Sequence, residues 1–388
     1  KAKECGVELF VLDDGWFGQR NDDHAGLGDW VANPERLPNG IKGLSERIEA
    51  MGIKFGLWFE PEMTNKDSDL YRAHPDWILH TPGRNASHGR YQYVLDFSRK
   101  EVVEYIYEMM AKILSEAKVS YIKWDMNRSI TECYSVALPA DRQGEVFHRY
   151  ILGVYDLYER LTSEFPEVLF ESCSSGGGRF DPGMLYYAPQ GWTSDDSDAI
   201  ERLKIQYGTS LCYPISSMGS HVSVIPNHQV FRKTPLHTRA NVAYFGTFGY
   251  ELDLNSLKEE EIAEVKEQII FMKKYRKLFQ FGDFYRLKSP FEGNETIWMV
   301  VSEDKKTAIV GYYRTLNGVN QAYSRIKLQG LDPDMLYENI LNKTENYGDE
   351  LMNFGLITTD VTAGEVPGDA TPCTDFESRI YILKAKEK

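Results

Sequence analysis

Between residues 7 and 253, short apolar runs alternate with longer amphipathic stretches, the pattern of repeated βα units around a parallel sheet. Strands are predicted at 8–12, 54–59, 93–95, 120–124, 168–172, 191–193, 214–218 and 242–247. Helices are predicted at 43–51, 100–117 and 145–165, with weaker ones after Asp198 and Thr238. Acids and other polar residues stand directly after these strands: Asp13 and Asp14, Glu60, Asp96, Asp125, Cys173 and Asp195. A (β/α)8 barrel assembles its active site from the C-terminal strand ends, so this recurrence favours a barrel over an open sheet. The opening Lys1 to Gly6 reads as the last turn of a helix closed by glycine, with no initiator Met, and predicts that the true N-terminus and a first strand lie upstream. With 93–95 assigned to a loop, seven barrel strands remain.

After a helical stretch with a dense charged face at 257–278, the period changes. Segments 296–301, 307–313, 324–328 and 379–383 alternate with period two between turn residues, as antiparallel strands do. The expected fold is therefore α/β: a TIM-type (β/α)8 barrel lacking its first strand over 1–282, followed by a small antiparallel β-sandwich over 283–388.

Composition narrows the partners. The 388 residues, 42% of them hydrophobic, suffice for a full-size core. A net charge of -14 repels phosphate backbones and anionic membrane surfaces, so neither nucleic acid nor a membrane is an expected partner. Five widely spaced cysteines without a CxxC pair indicate neither a disulfide framework nor a zinc site, and with no secretory apolar segment they point to the cytoplasm. The eight histidines form no HxxxH or HxH group. No metal or other cofactor is expected.

The chemistry concentrates in a few segments. In Tyr121-Ile122-Lys123-Trp124-Asp125 the strand period puts Lys123 and Asp125 on one face. A cation beside Asp125 would keep that carboxylate ionised, as a nucleophile requires. Taken alone, Lys-x-Asp reads more simply as a structural ion pair. A second group, Ser194-Asp195-Asp196-Ser197-Asp198, supplies context: crowded acids raise one another's pKa, so one of them stays protonated as a general acid. Asp198 or Ser197 is the expected cap of the next helix, which leaves Asp195 as the acid. Asp13 and Asp14 end a buried strand and can grip sugar hydroxyls, while Trp16 and Trp58 offer ring faces or core packing. Glu60 and Glu62 add carboxylates, and Arg90 adds a donor. The glycine run after Cys173 and Ser175 lets backbone approach a ligand closely.

Together, LDDGWFG at 12–18, GLWFEPEM at 56–63, KWDMNR at 123–128, CSSGGGRFDPGMLYY at 173–187 and WTSDDSDAIERLKIQYGTS at 192–210 resemble glycoside hydrolase family 36, the bacterial α-galactosidases. The resemblance implies a retaining double displacement with Asp125 as nucleophile and Asp195 as acid/base, the two carboxyls roughly 5–5.5 Å apart. It implies that Asp13 and Asp14 hold the galactose 4- and 6-hydroxyls and that Trp58 lines the same subsite. Lys123, Arg90, Asn127 and Ser175 fall at further sugar-contacting positions, with Cys173 near the 2-hydroxyl. The implied substrate is an α-galactoside oligosaccharide such as melibiose or raffinose, and the implied assembly is a homo-oligomer. Position 175 is Ser where the family commonly has Gly, which puts a side chain near the sugar's 2-position and keeps α-N-acetylgalactosaminidase activity as an alternative. Gly191 stands where the family often has an aliphatic residue. Two other readings stay open: a barrel in which Asp13, Glu60 and Asp125 ligate magnesium, and a sugar-binding module without turnover.

Overall fold

Five parallel strands organise the first half of the chain. They are β1 (Leu9–Leu12), β2 (Lys54–Phe59), β5 (Tyr121–Trp124), β6 (Leu169–Ser172) and β7 (Gln190–Trp192), hydrogen-bonded in that order. Between β2 and β5, β3 (Met63–Asn65) and β4 (Gln92–Val94) form a separate antiparallel pair, so the 93–95 segment is a loop strand as expected. The computed structural model describes residues 1–319, 324–358 and 374–386. Its two compact units are Ala2–Trp192 and Thr193–Lys388, the second together with Lys1.

In the first unit, helices Gly40–Ala50, Lys100–Glu116 and Val146–Glu164 connect the strands. Lys100–Glu116 buries Val102, Val103, Ile106, Met110 and Leu114, three and four residues apart as a helical stripe demands. Arg99 at its N-cap makes no side-chain capping bond. A cap is worth about 1 kcal/mol, whereas each buried aliphatic contributes about 1.5–3 kcal/mol, so packing rather than capping holds this helix. The stripe joins Val154, Leu157 and Tyr158 of the next helix and Ile122, Trp124 and Phe170 of the sheet in one core. Trp124 and Tyr158 stack there with centroids 3.9 Å apart.

Gly153 marks the tightest approach in that layer, because a Cβ there would lie 1.9 Å from the Phe97 carbonyl oxygen. In an exposed helix, Gly→Ala stabilises by about 1 kcal/mol. Here the sign reverses: Gly153→Ala should destabilise by about 1–3 kcal/mol, seen as a lower midpoint in urea, and an unchanged midpoint would refute the close packing. Gly191 has a similar origin. A Cβ at that position would meet the Phe180 ring at 2.5 Å, so the aromatic occupies the space a side chain at 191 would need.

In the second unit, Asp198 caps helix Ala199–Ser210, accepting from Ile200 N at 3.0 Å and Glu201 N at 3.1 Å. Strands β8 (Met218–Ser223) and β9 (Thr247–Glu251) pair in parallel, with helix Leu236–Ala243 between them. Both lie later than predicted. Residues 215–217 form a 3-10 turn and 242–243 end the helix. Val242, Ala243, Tyr244 and Phe245 are all buried, and a short run buried on every side shows neither period. The true strand β8 reads as polar because Ser220 and Ser223 turn inward, bonding Gln206 Oε1 at 2.8 Å and the Ser197 carbonyl at 3.0 Å.

Helix Glu259–Phe281 leads to the antiparallel strands. These are β10 (Asp283–Lys288), β11 (Glu295–Val301), β12 (Thr307–Arg314), β13 (Arg325–Ile326), β14 (Leu336–Asn339), β15 (Glu345–Tyr347), β16 (Leu356–Ile357) and β17 (Glu377–Ala385). One sheet has the order β10-β11-β12-β17-β14-β15, and β13 pairs with β16. Ile297, Met299, Val310, Tyr312, Tyr381 and Leu383 form the core of this region. The barrel-type α/β fold followed by an antiparallel sheet domain agrees with the sequence expectation.

Candidate active site

Strand register arranges the polar residues of the first unit in rows. Trp58 lies opposite Lys123, and Lys123 opposite Glu171. Because Leu12 lies opposite Leu57, Asp13 extends this row one residue beyond β1. Two residues further along each strand, on the same face, come Glu60, Asp125 and Cys173.

The lower row carries the ion pair. Lys123 Nζ lies 2.8 Å from Asp13 Oδ2, so its partner is Asp13 and not Asp125. The long lysine side chain reaches across its own row instead of up the strand to the next. Burial opposes its charge, but Asp13 and Glu171 hold Lys123 above its ordinary value. Asp14 takes a bidentate grip from Arg20, at 3.0 Å from Nε and 2.8 Å from Nη2. Asp23 in turn bridges Arg20 at 3.4 Å and Arg90 at 3.3 Å. Arg90 is half exposed and has a left-handed φ of 50°, which places it on the rim.

The upper row centres on Asp125, which is 6% exposed. Its Oδ2 accepts from Trp58 Nε1 at 3.2 Å and Asn127 Nδ2 at 2.8 Å, and its Oδ1 accepts from Met126 N at 2.8 Å. Neutral donors, rather than the lysine, therefore face this carboxylate. Asn127 is fixed at both ends: Ser175 Oγ donates to its Oδ1 at 3.3 Å, and its backbone N–H donates to Glu60. Ser175 has φ 44°, a conformation that suits glycine. Its loop is pinned by Ser174 Oγ donating to the Met126 carbonyl at 3.1 Å. Cys173 is buried, and burial followed by the Asp125 charge pushes its thiol well above the ordinary range, which keeps it protonated.

Trp16 belongs to the core, with its indole N–H on the Trp58 carbonyl at 2.9 Å. Trp58 is also buried and meets the site through its N–H. The two glutamates after β2 differ sharply. Glu62 accepts both arms of Arg179 at 2.8 Å, Trp124 Nε1 at 2.8 Å and the Tyr150 hydroxyl, so it is a structural hub. Glu60 has no such cation, and burial together with the Asp125 charge pushes it up to about 8. Sequence reasoning did not foresee Arg20 or Gln92 in this network. The only signal for Arg20 was an arginine six residues after Asp14. Among the described residues, no group of three or more His, Cys, Asp or Glu side chains is placed to share a metal ion.

Asp195 lies in the second unit on an exposed turn. The turn is shaped by Asp196 N donating to Ser194 Oγ at 3.1 Å, Asp198 N donating to Asp196 Oδ1 at 3.1 Å and Arg202 donating to the Ser194 carbonyl at 3.3 Å. Asp198, beyond capping its helix, pairs with Arg232. It is structural, as expected.

A hydrogen-bonded carboxylate at the C-terminal strand ends of a βα framework, bordered by acids paired with arginine and lysine, is the kind of site that barrel glycosidases carry. Residues 1–282 match the melibiase family model, and 295–383 match that of the glycosyl hydrolase family 36 C-terminal domain. The chain belongs to glycoside hydrolase family 36. It is 56% identical over its full length to alpha-galactosidase AgaA of Geobacillus stearothermophilus, covering 51% of that protein. It is 49% identical over 99% of its length to alpha-galactosidase Mel36A of Lactobacillus acidophilus, again covering 51%. A crystal structure of an AgaA variant in complex with raffinose superposes with a TM-score of 0.94 at 53% identity, over 99% of this chain and 52% of that one. The chain thus spans about half the length of the curated relatives it matches.

Proposed function

We propose that the protein carrying this chain is a retaining α-galactosidase that removes terminal α-linked galactose from oligosaccharides such as melibiose and raffinose. The observation that carries this reading is Asp125: a buried carboxylate at a strand end, held by three N–H donors and bound to no lysine or arginine. Such a group is oriented and free of a cation that would compete with an electrophile. It attacks the anomeric carbon as the bond to the leaving oxygen breaks, and Asp195 gives its proton to that oxygen. Asp195 then takes a proton from water, which attacks the same carbon and releases Asp125. Asp13 and Asp14 hold the distal hydroxyls, with Lys123 and Arg20 fixing their oxygens. Trp58, Arg90, Asn127, Cys173 and Ser175 complete the sugar subsite in this reading.

The relatives' names and the raffinose bound to an AgaA variant support the substrate class. Residues 1–282 are the catalytic barrel and 283–388 the C-terminal β domain in this proposal, the whole acting in the cytoplasm as a homo-oligomer. The four described cysteines are unpaired, which suits a reducing compartment; Cys373 lies outside the described residues. Among the described residues, no helix is long and apolar enough to cross a membrane.

The test compares aryl α-galactoside with aryl α-N-acetylgalactosaminide. The expected result is a preference for the galactoside by about 10²-fold or more in kcat/KM, unchanged by EDTA. A reversed preference would establish the aminosugar reading instead, loss of turnover with EDTA would establish metal dependence, and galactose binding without turnover would establish a binding module.

A further inference from the structure

Glu60 and Glu62 leave the same strand end two residues apart, and both are fully buried. Arg179 neutralises Glu62 with two bonds of 2.8 Å. Among the described residues Glu60 makes no ion pair: it receives the Asn127 backbone N–H and Gln92 Nε2, the latter at 3.0 Å. The nearby cations are engaged elsewhere, Arg20 with Asp14 and Asp23 and Arg90 with Asp23. The titratable group closest to it in the row is Asp125, itself an anion. An unpaired carboxylate buried beside another is too costly to persist. The alternative is a neutral acid, whose C=O accepts from Asn127 and whose O–H donates to Gln92. Gln92 Oε1 has no hydrogen-bond partner among the described residues, and turning the side-chain amide brings it to that proton.

We propose that Glu60 is a positioning residue that works uncharged, fixing the Asn127 backbone and, through the Asn127 amide, the Oδ2 atom of Asp125. The proposal rests on the reading of Asp125 as nucleophile. Glutamine is the closest mimic of a neutral carboxyl, since its C=O and NH₂ replace the C=O and O–H. Aspartate withdraws the group by one methylene, and leucine removes both polar functions.

The test uses the natural protein with α-galactosyl fluoride, whose leaving group needs no proton from Asp195. Glu60→Leu and Glu60→Asp should lose about 10²-fold in kcat with little change in KM, as a nucleophile displaced by about 1 Å would. Glu60→Gln should recover most of that loss. A second readout needs no turnover. Burial and the Asp125 charge raise Glu60 from 4.5 to about 8, so its contribution to stability is fully present below pH 4.5 and is lost as pH rises to about 8. The stability of Glu60→Gln relative to wild type, from urea denaturation, should therefore increase across that window. If Glu60→Gln is as slow as Glu60→Leu, or the stability difference is flat with pH, the proposal is overturned. A wild-type protein inert to the fluoride would overturn the galactosidase reading instead, while the denaturation series still decides the charge of Glu60.

Discussion

Asp125→Ala should reduce turnover of an aryl α-galactoside by at least about 10⁴-fold, and added azide should restore part of the rate. The size follows from what is lost: the other carboxylate of that row, Glu60, is buried and bound to Asn127 and Gln92, and cannot stand in for Asp125. The rescue follows from what remains. The indole N–H of Trp58, the amide of Asn127 and the backbone N–H of Met126 lose their acceptor, leaving three donors around a carboxylate-sized space, which suits a small anion. Azide entering there attacks the face that Asp125 occupied, so the product should be β-galactosyl azide, identified by NMR. An α-azide would place the nucleophile on the opposite face, and a variant retaining turnover within about tenfold of wild type would remove Asp125 from the mechanism.

How much of this was legible in the sequence depends on how far apart the interacting residues lie. The strand ends carrying Asp13, Asp125 and Cys173 were readable because an apolar run followed by an acid is a local pattern. The Asp198 cap was readable for the same reason. Lys123 was misassigned to Asp125 because period two compares residues along one strand, whereas the pair forms along a row that joins residues 110 positions apart. Register joins residues of different strands, and the period of one strand does not tell which residues of its neighbours lie opposite. Glu60 and Glu62 are indistinguishable in GLWFEPEM, yet one meets a guanidinium 117 residues away and the other does not. The strands placed too early at 214–218 and 242–247 failed for a different reason: there the apolar residues belong to a turn and a buried helix end, while serines line the real strand.

Glu62→Ala should be among the most destabilising single substitutions in the first unit, at about 3–5 kcal/mol. Glu62 is fully buried and accepts from Arg179, Trp124 and Tyr150. Burial pulls Arg179 down and Glu62 more than offsets that pull; with Glu62 removed the offset is gone, but the intrinsic basicity of a guanidinium keeps it charged. The variant thus leaves a buried cation, an indole N–H and a phenol without their acceptor. Breaking such a pair costs more than never having built it. Glu62→Leu combined with Arg179→Met should consequently be more stable than either single variant, with a favourable coupling of at least about 1 kcal/mol in urea denaturation. Arg179 also terminates the glycine-rich loop that carries Cys173 and Ser175, so the double variant should regain stability while kcat stays low, because the apolar pair no longer fixes the loop against the β2 strand end. Additive effects of the two substitutions would mean that the pair is not the unit holding that loop, and full recovery of kcat in the double variant would mean that the loop needs no such anchor.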